Sequence, residues 1–140
     1  MIAIELAQQL KRAGLAWTPT EHDHFMIPDR QMDNQIFVVS QFTALVQMLK
    51  GQPAVTFHGS SEWALDYIMV ADIVWLPTET QLREALAARI GVDAPLRLER
   101  TLTGYRCQIA CGARQLDFDA ATAEDAYALA LLYVLQANRK

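Results

Sequence analysis

The sequence predicts a single α+β domain over residues 1–140, with a mainly antiparallel sheet and three helices. Three segments, at 2–13, 78–90 and 123–137, repeat apolar residues every three to four positions and carry helix-capping residues. The other apolar runs are short, rich in β-branched and aromatic residues, and separated by turn residues, as antiparallel strands are. With 140 residues, 52% of them hydrophobic, the chain can bury one sizeable core.

The central segment joins a short strand to a capped helix. The apolar strand at 73–76 meets Pro77, which cannot donate a hydrogen bond to a sheet ladder. Thr78 and Gln81 have the spacing of a capping box, so a helix begins there. Gly91 stands where a left-handed glycine would end that helix.

The two halves of the chain differ in their predicted elements. Residues 78–140 have the order αβββα, with Thr122 capping the last helix and strands at 96–102, 105–110 and 114–118. Residues 1–77 hold the first helix, closed by Gly14, and then a β-rich part. Its expected elements are a strand at 25–27, a buried strand at 36–40, a hairpin from 42–49 and 54–58, and a helical turn from Glu62 to Tyr67.

The formal net charge of -4 argues against general nucleic-acid binding, which requires a basic surface. Residues 1–77 contain four Lys or Arg against eight Asp or Glu, whereas residues 78–140 contain eight of each. An acidic first half indicates either a basic partner or an ordinary solvated surface.

The sequence also bears on the cellular location. No apolar run approaches the roughly 20 residues that span a bilayer, and the first residues do not have the charge order of a signal peptide. Cys107 and Cys111 lie in a predicted strand, where their Cα atoms would be roughly 13 Å apart, too far for a disulfide or for joint chelation of a metal. We therefore expect a cytoplasmic protein with two free thiols.

The αβββα order resembles double-stranded RNA-binding domains, which share it at similar length. The resemblance implies RNA binding through the C-terminal half as an alternative function. Such domains carry lysines at the start of the second helix, whereas this chain has Glu124 and Asp125, which repel phosphate. RNA binding would also need four arginines on one exposed face: Arg97, Arg100, Arg106 and Arg114.

His22 and His24 are the candidate metal ligands. Alternate side chains of an extended segment share a face, so an H-x-H pair can hold one divalent ion. A third ligand would come from His58, Asp29 or Glu62. A metal-dependent enzyme or small-ligand binder using the His22, His24 and His58 region is a second alternative, although exposed histidines are the simpler interpretation, and we predict no cofactor.

A cleft rimmed by His58, Glu62 and Asp66, beside Trp63, is the candidate ligand-binding site, because aromatic residues cluster in the first half of the sequence. Large aromatic residues lie more often in a core. The sequence contains no phosphate-binding loop, dinucleotide fingerprint, nucleophile elbow or H-E-x-x-H motif. We therefore predict a binding or adaptor protein without catalytic activity, whose partner is a protein or a small ligand.

The last helix predicts self-association. Leu129, Leu132 and Tyr133 lie outside its main apolar face, so the helix is apolar almost all round. These residues need a second cover, which is either the first helix or the same patch of a second copy. We expect a homodimer through this patch.

Four segments carry a resemblance to a known group of proteins: W-T-P at 17–19, F-M-I-P-D-R at 25–30, H-G-S-S-E-W-A-L-D at 58–66 and V-W-L-P-T-E-T-Q-L-R-E-A-L at 74–86. They resemble a family of short uncharacterised proteins from actinobacteria and green non-sulfur bacteria, and the resemblance covers most of the chain. Members sometimes carry the automatically transferred label of pilus-assembly proteins, although ATPases of that name need a phosphate-binding loop. The resemblance implies no catalytic residues.

Overall fold

The chain divides into two compact units. A computed structural model describes residues 1–28, 35–39, 44–57 and 67–138. The helical unit comprises Met1–Ala16 and Pro77–Lys140, and the inserted unit comprises Trp17–Leu76, between them in the sequence. The described residues form three α-helices, a short 3-10 helix at Val70–Asp72, and three three-stranded antiparallel sheets. The α+β class is thereby confirmed and is consistent with the predicted single domain, although the strands form three sheets rather than one.

The described elements have the following bounds. The helices are α1 (Ile4–Arg12), α2 (Glu79–Ile90) and α3 (Ala123–Ala137). The strands of the inserted unit are β1 (His24–Met26), β2 (Phe37–Val38), β3 (Ala44–Leu49), β4 (Gln52–Phe57), β5 (Tyr67–Met69) and β6 (Val74–Leu76). Those of the helical unit are β7 (Leu96–Arg100), β8 (Tyr105–Cys111) and β9 (Arg114–Ala120).

The helical unit confirms the predicted αβββα order. Its sheet has the order β7-β8-β9 with antiparallel pairing, and α3 packs against β8 and β9 as well as against α1 and α2. Apolar residues of α1, α2, α3 and β8 are buried, which places the core of the unit around α3. Its members include Leu10, Leu82, Leu86, Ile109 and Leu131.

The capping box at the start of α2 is present as predicted. The Thr78 backbone N–H donates to Gln81 Oε1 at 2.9 Å, and the Gln81 backbone N–H donates to Thr78 Oγ1 at 3.2 Å. These two bonds satisfy backbone donors that the first turn of a helix leaves open. At the other end, the expected left-handed cap is wrong, because Gly91 has φ 103 and ψ 148, outside the left-handed helical region.

An acidic side chain connects the beginnings of α1 and α3. Asp125 Oδ1 accepts a hydrogen bond from the Ala3 backbone N–H at 2.8 Å, and the Asp125 backbone N–H donates to Thr122 Oγ1 at 3.2 Å. Ala3 is the N-cap residue of α1 and has no side-chain cap of its own. Asp125 therefore serves the N-terminal ends of two helices, where a carboxylate is electrostatically favourable.

The inserted unit contains the two remaining sheets, with strand orders β2-β1-β6 and β3-β4-β5. The hairpin predicted from residues 42–49 and 54–58 is confirmed as β3 and β4. Its two-residue loop places Lys50 at φ 52 and Gly51 at φ 78, so both central residues have positive φ, as in a type I′ turn.

Two predictions for the inserted unit are wrong in detail. The segment 36–40 was expected to be a buried strand, but of its described residues, 36–39, only Phe37–Val38 are strand, and Ile36 and Val38 are exposed. Tyr67, expected in a helical turn, begins β5. The remaining residues of that predicted turn lie outside the described part of the chain.

Candidate functional site

A turn before β1 fixes the geometry of the β1–β2 edge. The Asp23 backbone N–H donates to the Thr20 carbonyl at 3.1 Å, which closes a β-turn whose third residue, His22, has φ 75. The last two residues of this turn also bond to the segment after β2. The His22 N–H donates to the Val39 carbonyl at 2.8 Å, and the Val39 N–H donates to the Asp23 carbonyl at 2.9 Å. Two residues therefore oppose one, so the pairing of β1 and β2 ends in a β-bulge.

The buried carboxylate of Asp23 holds this turn closed. Asp23 is only 4% exposed. Its Oδ2 accepts hydrogen bonds from Trp17 Nε1–H at 2.9 Å and from the Thr20 backbone N–H at 3.0 Å. Since a buried carboxylate is costly without such donors, these bonds keep Trp17 and the turn together.

An aromatic row forms the core beneath the turn. Phe25 pairs with Phe37 on one side and with Trp75 on the other, so the three rings share one face of the sheet. Trp17 covers the row, with its ring stacked on Trp75 at 6.3 Å and 7°. Phe25 belongs to a buried hydrophobic cluster that also includes Ile27, so the described aromatic residues build a core, the simpler of the two interpretations.

Within the described residues, the outer edge of β2 is unpaired, and its side chains are apolar. Both backbone polar groups of Val39 bond toward β1, and these groups alternate in direction along a strand. Those of Val38 and Ile36 therefore point away from β1, and within the described residues no strand pairs with them. The side chains of Ile36 and Val38 are 45% and 38% exposed.

The two edge strands of the helical unit carry charged side chains. β7 carries Arg97, Glu99 and Arg100, and β9 carries Arg114, Asp117 and Asp119. Charged side chains on an edge strand discourage pairing with a further strand. The described strand β2 carries no charged residue. The edge strands β3, β5 and β6 are uncharged as well. β2 differs from them in that exposed β-branched side chains are described there, Val38 on the strand and Ile36 beside it.

The described geometry does not unite the predicted metal ligands. His22 lies in the turn at φ 75 rather than in an extended segment, and its side chain is 82% exposed. His24 lies in β1. The expectation that both imidazoles share one strand face is wrong, because the bulge breaks the alternation. In the described ranges, no three His, Cys, Asp or Glu side chains could hold a metal ion together.

The four residues predicted to bind a ligand lie outside the described part of the chain; they are His58, Glu62, Trp63 and Asp66. The same is true of Asp29, proposed as a third metal ligand. The cleft that they were expected to form therefore stays a prediction.

The arginines expected in an RNA-binding surface divide between the two faces of the β7–β9 sheet. The strand register places Arg97 and Arg106 on one face, and Arg100 and Arg114 on the other, which also carries the buried Cys107. Arg106 also donates to Asp119, from Nε to Oδ1 at 2.7 Å and from Nη2 to Oδ2 at 3.3 Å. This bidentate bond lowers the pKa of Asp119 and raises that of Arg106. The gathering required for RNA binding is not formed.

The three residues predicted as a homodimer interface differ in exposure. Leu132 is 8% exposed, whereas Tyr133 is 38% exposed and Leu129 is intermediate. The Tyr133 ring also contacts Phe118 of β9, with ring centroids 5.7 Å apart. Because α1, α2 and the sheet all pack against α3, most of its apolar surface is already covered within one copy.

The buried reactive side chains of the helical unit are not poised for chemistry. Cys107 and Cys111 are free, as predicted. Burial raises the pKa of the Cys107 thiol to about 11, so the thiol is protonated at neutral pH and is a poor nucleophile. Burial likewise raises the pKa of Tyr127. We interpret both as core residues.

No helix among the described residues is long and apolar enough to cross a bilayer. No protein-family model, curated protein or solved structure matches the chain. The resemblance to short bacterial proteins therefore stays a prediction.

Sequence reasoning missed the edge formed by Ile36 and Val38. The run I-F-V-V has no polar residue to mark an exposed face, so it predicted a strand buried on both sides. A weak signal was the shortness of this apolar run, since very short strands are typical of sheet edges.

Proposed function

We propose that the protein is a cytoplasmic, non-catalytic binding protein whose partner is another protein. One observation carries this proposal: the side chains of Ile36 and Val38 are exposed at the outer edge of β2, and within the described part of the chain no strand pairs with their outward backbone groups. Such an edge is a template for an extended segment of a partner, which adds as a further strand.

Both parts of this edge can contribute to binding. Backbone bonds to Ile36 and Val38 would give affinity for any extended segment, and the two exposed side chains would select apolar residues at alternate positions. The fixed turn at His22 and Asp23 prepares the edge, because the bulge and the Asp23 bonds hold β1 in place. A preformed edge costs less ordering on binding than a disordered segment would.

The chemistry of the described side chains agrees with a non-catalytic role. The buried thiol of Cys107 has a raised pKa, which is opposite to the shift that activates a nucleophile. The strongly hydrogen-bonded ion pair of Arg106 and Asp119 is exposed and links neighbouring strands. The free thiols Cys107 and Cys111 also suit a reducing compartment.

Selection of displayed peptides tests the proposal. Random peptides are selected on the wild type and then screened against an Ile36→Lys, Val38→Lys double variant, which places two charges on the edge. A matched control, Gln115→Lys, places a charge on β9 at an exposed position. We expect to recover peptides that bind the wild type and the control but do not bind the double variant. Peptides that bind all three proteins equally, or no recovered peptide at all, would refute the proposal.

A homodimer remains a second proposal about partners. Leu129 and Tyr133 leave a narrow apolar strip on α3, beside Phe118, that a second copy could cover. Light scattering at several concentrations would show a mass of about twice 15.7 kDa if this proposal is correct. A mass that stays at one chain would exclude it.

A further inference from the structure

We infer that the segment captured by β2 is basic as well as extended, with apolar residues at alternate positions. This inference rests on the proposed function and adds the chemistry of the partner. It depends on the charges of the unit that carries the edge.

The two units differ sharply in net charge. Residues 17–76 contain seven Asp or Glu and two Lys or Arg, which gives -5 with neutral histidines. The remaining residues contain nine acidic and ten basic side chains, which gives +1. The acidity of the chain therefore belongs to the inserted unit, the same unit that presents the open edge.

Acidic residues also lie close to the edge in structure and in sequence. Glu21, whose side chain is half exposed, belongs to the turn whose next residue bonds to Val39. Asp29 and Asp33 shortly precede β2 in the sequence, with Arg30 between them. Positive side chains on an added strand would therefore be attracted to this region, and negative ones repelled.

Charge also disfavours a second copy of the chain as the occupant. Two inserted units paired through β2 would bring together two net charges of -5. Like charges close to an interface oppose association. A basic segment of a different protein can bond to the outward backbone groups of β2 and is attracted by the negative net charge of the inserted unit.

The added strand has a definite side-chain pattern. Ile36 and Val38 are two residues apart, so they lie on the same face of the sheet. Residues of the partner that fall on this face would contact them and should be apolar. The alternate residues face the other side and can be lysine or arginine. We therefore expect a sequence in which apolar and basic residues alternate.

Binding of three designed peptides tests this inference. Each has about nine residues, enough to exceed an ordinary strand. One alternates valine and lysine, one alternates valine and glutamate, and the third is the basic peptide with a central proline that removes a backbone donor and cannot complete the ladder. Fluorescence anisotropy measures each against the wild type, Val38→Lys and the control Gln115→Lys, with circular dichroism confirming that each variant is folded.

We expect the basic peptide to bind the wild type and Gln115→Lys. Its affinity for Val38→Lys should be lower by roughly tenfold or more, and the peptide with the central proline should bind the wild type with a similarly reduced affinity. Its affinity should also fall as salt is raised. Equal binding of the acidic peptide would overturn the inference about charge and leave the proposed function standing. Equal binding of the proline peptide would overturn strand addition.

Three further outcomes separate the remaining explanations. A wild type that is dimeric by light scattering and becomes monomeric in Val38→Lys would show that a second copy occupies the edge, which overturns the inference. Failure of all three peptides, together with displayed peptides that do recognise the edge, would overturn the basic pattern alone. Failure of both the designed and the displayed peptides would refute the proposed function itself.

Discussion

Replacement of Leu132 by alanine tests whether the last helix is covered within one copy or between copies. Leu132 is 8% exposed in α3, which packs against α1, α2 and the sheet. Removing a buried leucine side chain costs roughly 2–5 kcal/mol, depending on how far the site can collapse. Because Leu132 keeps a small exposed fraction, we expect a loss of about 2–3 kcal/mol in the free energy of unfolding.

The two units offer separate spectroscopic probes for this measurement. All three described α-helices belong to the helical unit, whereas the inserted unit has only the three-residue 3-10 helix among its described residues, so circular dichroism at helical wavelengths follows the helical unit. All three tryptophans, Trp17, Trp63 and Trp75, belong to residues 17–76, so their fluorescence follows the inserted unit. Denaturant unfolding followed by both probes assigns the destabilisation to one unit. We expect the helical transition to move.

A matched control and a mass measurement complete the test. Gln136→Ala changes an exposed residue of the same helix and should alter the free energy of unfolding by about 0.5 kcal/mol or less. In thermal unfolding, Leu132→Ala should lower Tm by roughly 4–12 °C. If Leu132→Ala instead kept the stability of the control and halved the mass seen by light scattering, Leu132 would belong to an interface between copies, and the placement of α3 in one core would be wrong.

Three further predictions follow from local geometry. Lys50→Asn should stabilise the β3–β4 hairpin by about 0.5 kcal/mol, measured by denaturant unfolding, because asparagine tolerates the positive φ of that position better than lysine; a destabilised variant would contradict the turn assignment. A His22→Ala, His24→Ala variant should match the wild type in metal content and Tm, with or without a chelator, and a stoichiometric metal lost on substitution would revive the metal site. Because the Arg106 hydrogen bond lowers the folded pKa of Asp119, that bond should stabilise the wild type over Asp119→Asn above pH 3.8, and the advantage should disappear as pH falls through the folded pKa; a pH-independent difference would exclude this pair as its cause.

Local signals predicted the helices and turns well. The capping box of Thr78 and Gln81 and the cap at Thr122 are read from residues three apart, and both are present. The αβββα order is likewise marked by short-range turn chemistry. Such features need no knowledge of distant residues, because the groups that form them are neighbours in the chain.

Features that depend on distant residues were not predicted. The burial of Leu132 depends on elements that pack against α3 from distant parts of the sequence, and the role of Asp125 at α1 likewise joins residues far apart in the sequence. The exposure of Ile36 and Val38 depends on β2 having a partner on one side only. Likewise, the metal site predicted from the H-x-H pattern requires an extended backbone, whereas His22 lies in a turn with φ 75.

Amide hydrogen exchange, resolved by residue, tests the central claim most directly. The backbone N–H groups of Ile36 and Val38 point away from β1, and we propose that they bind an extended segment of a protein partner. Exchange is measured with and without a saturating basic peptide that alternates valine and lysine. We predict that exchange slows at Ile36 and Val38 and does not change along β9, the edge strand that carries charged side chains. Unchanged exchange at Ile36 and Val38 in the bound state, or slowed exchange along β9, would contradict the account.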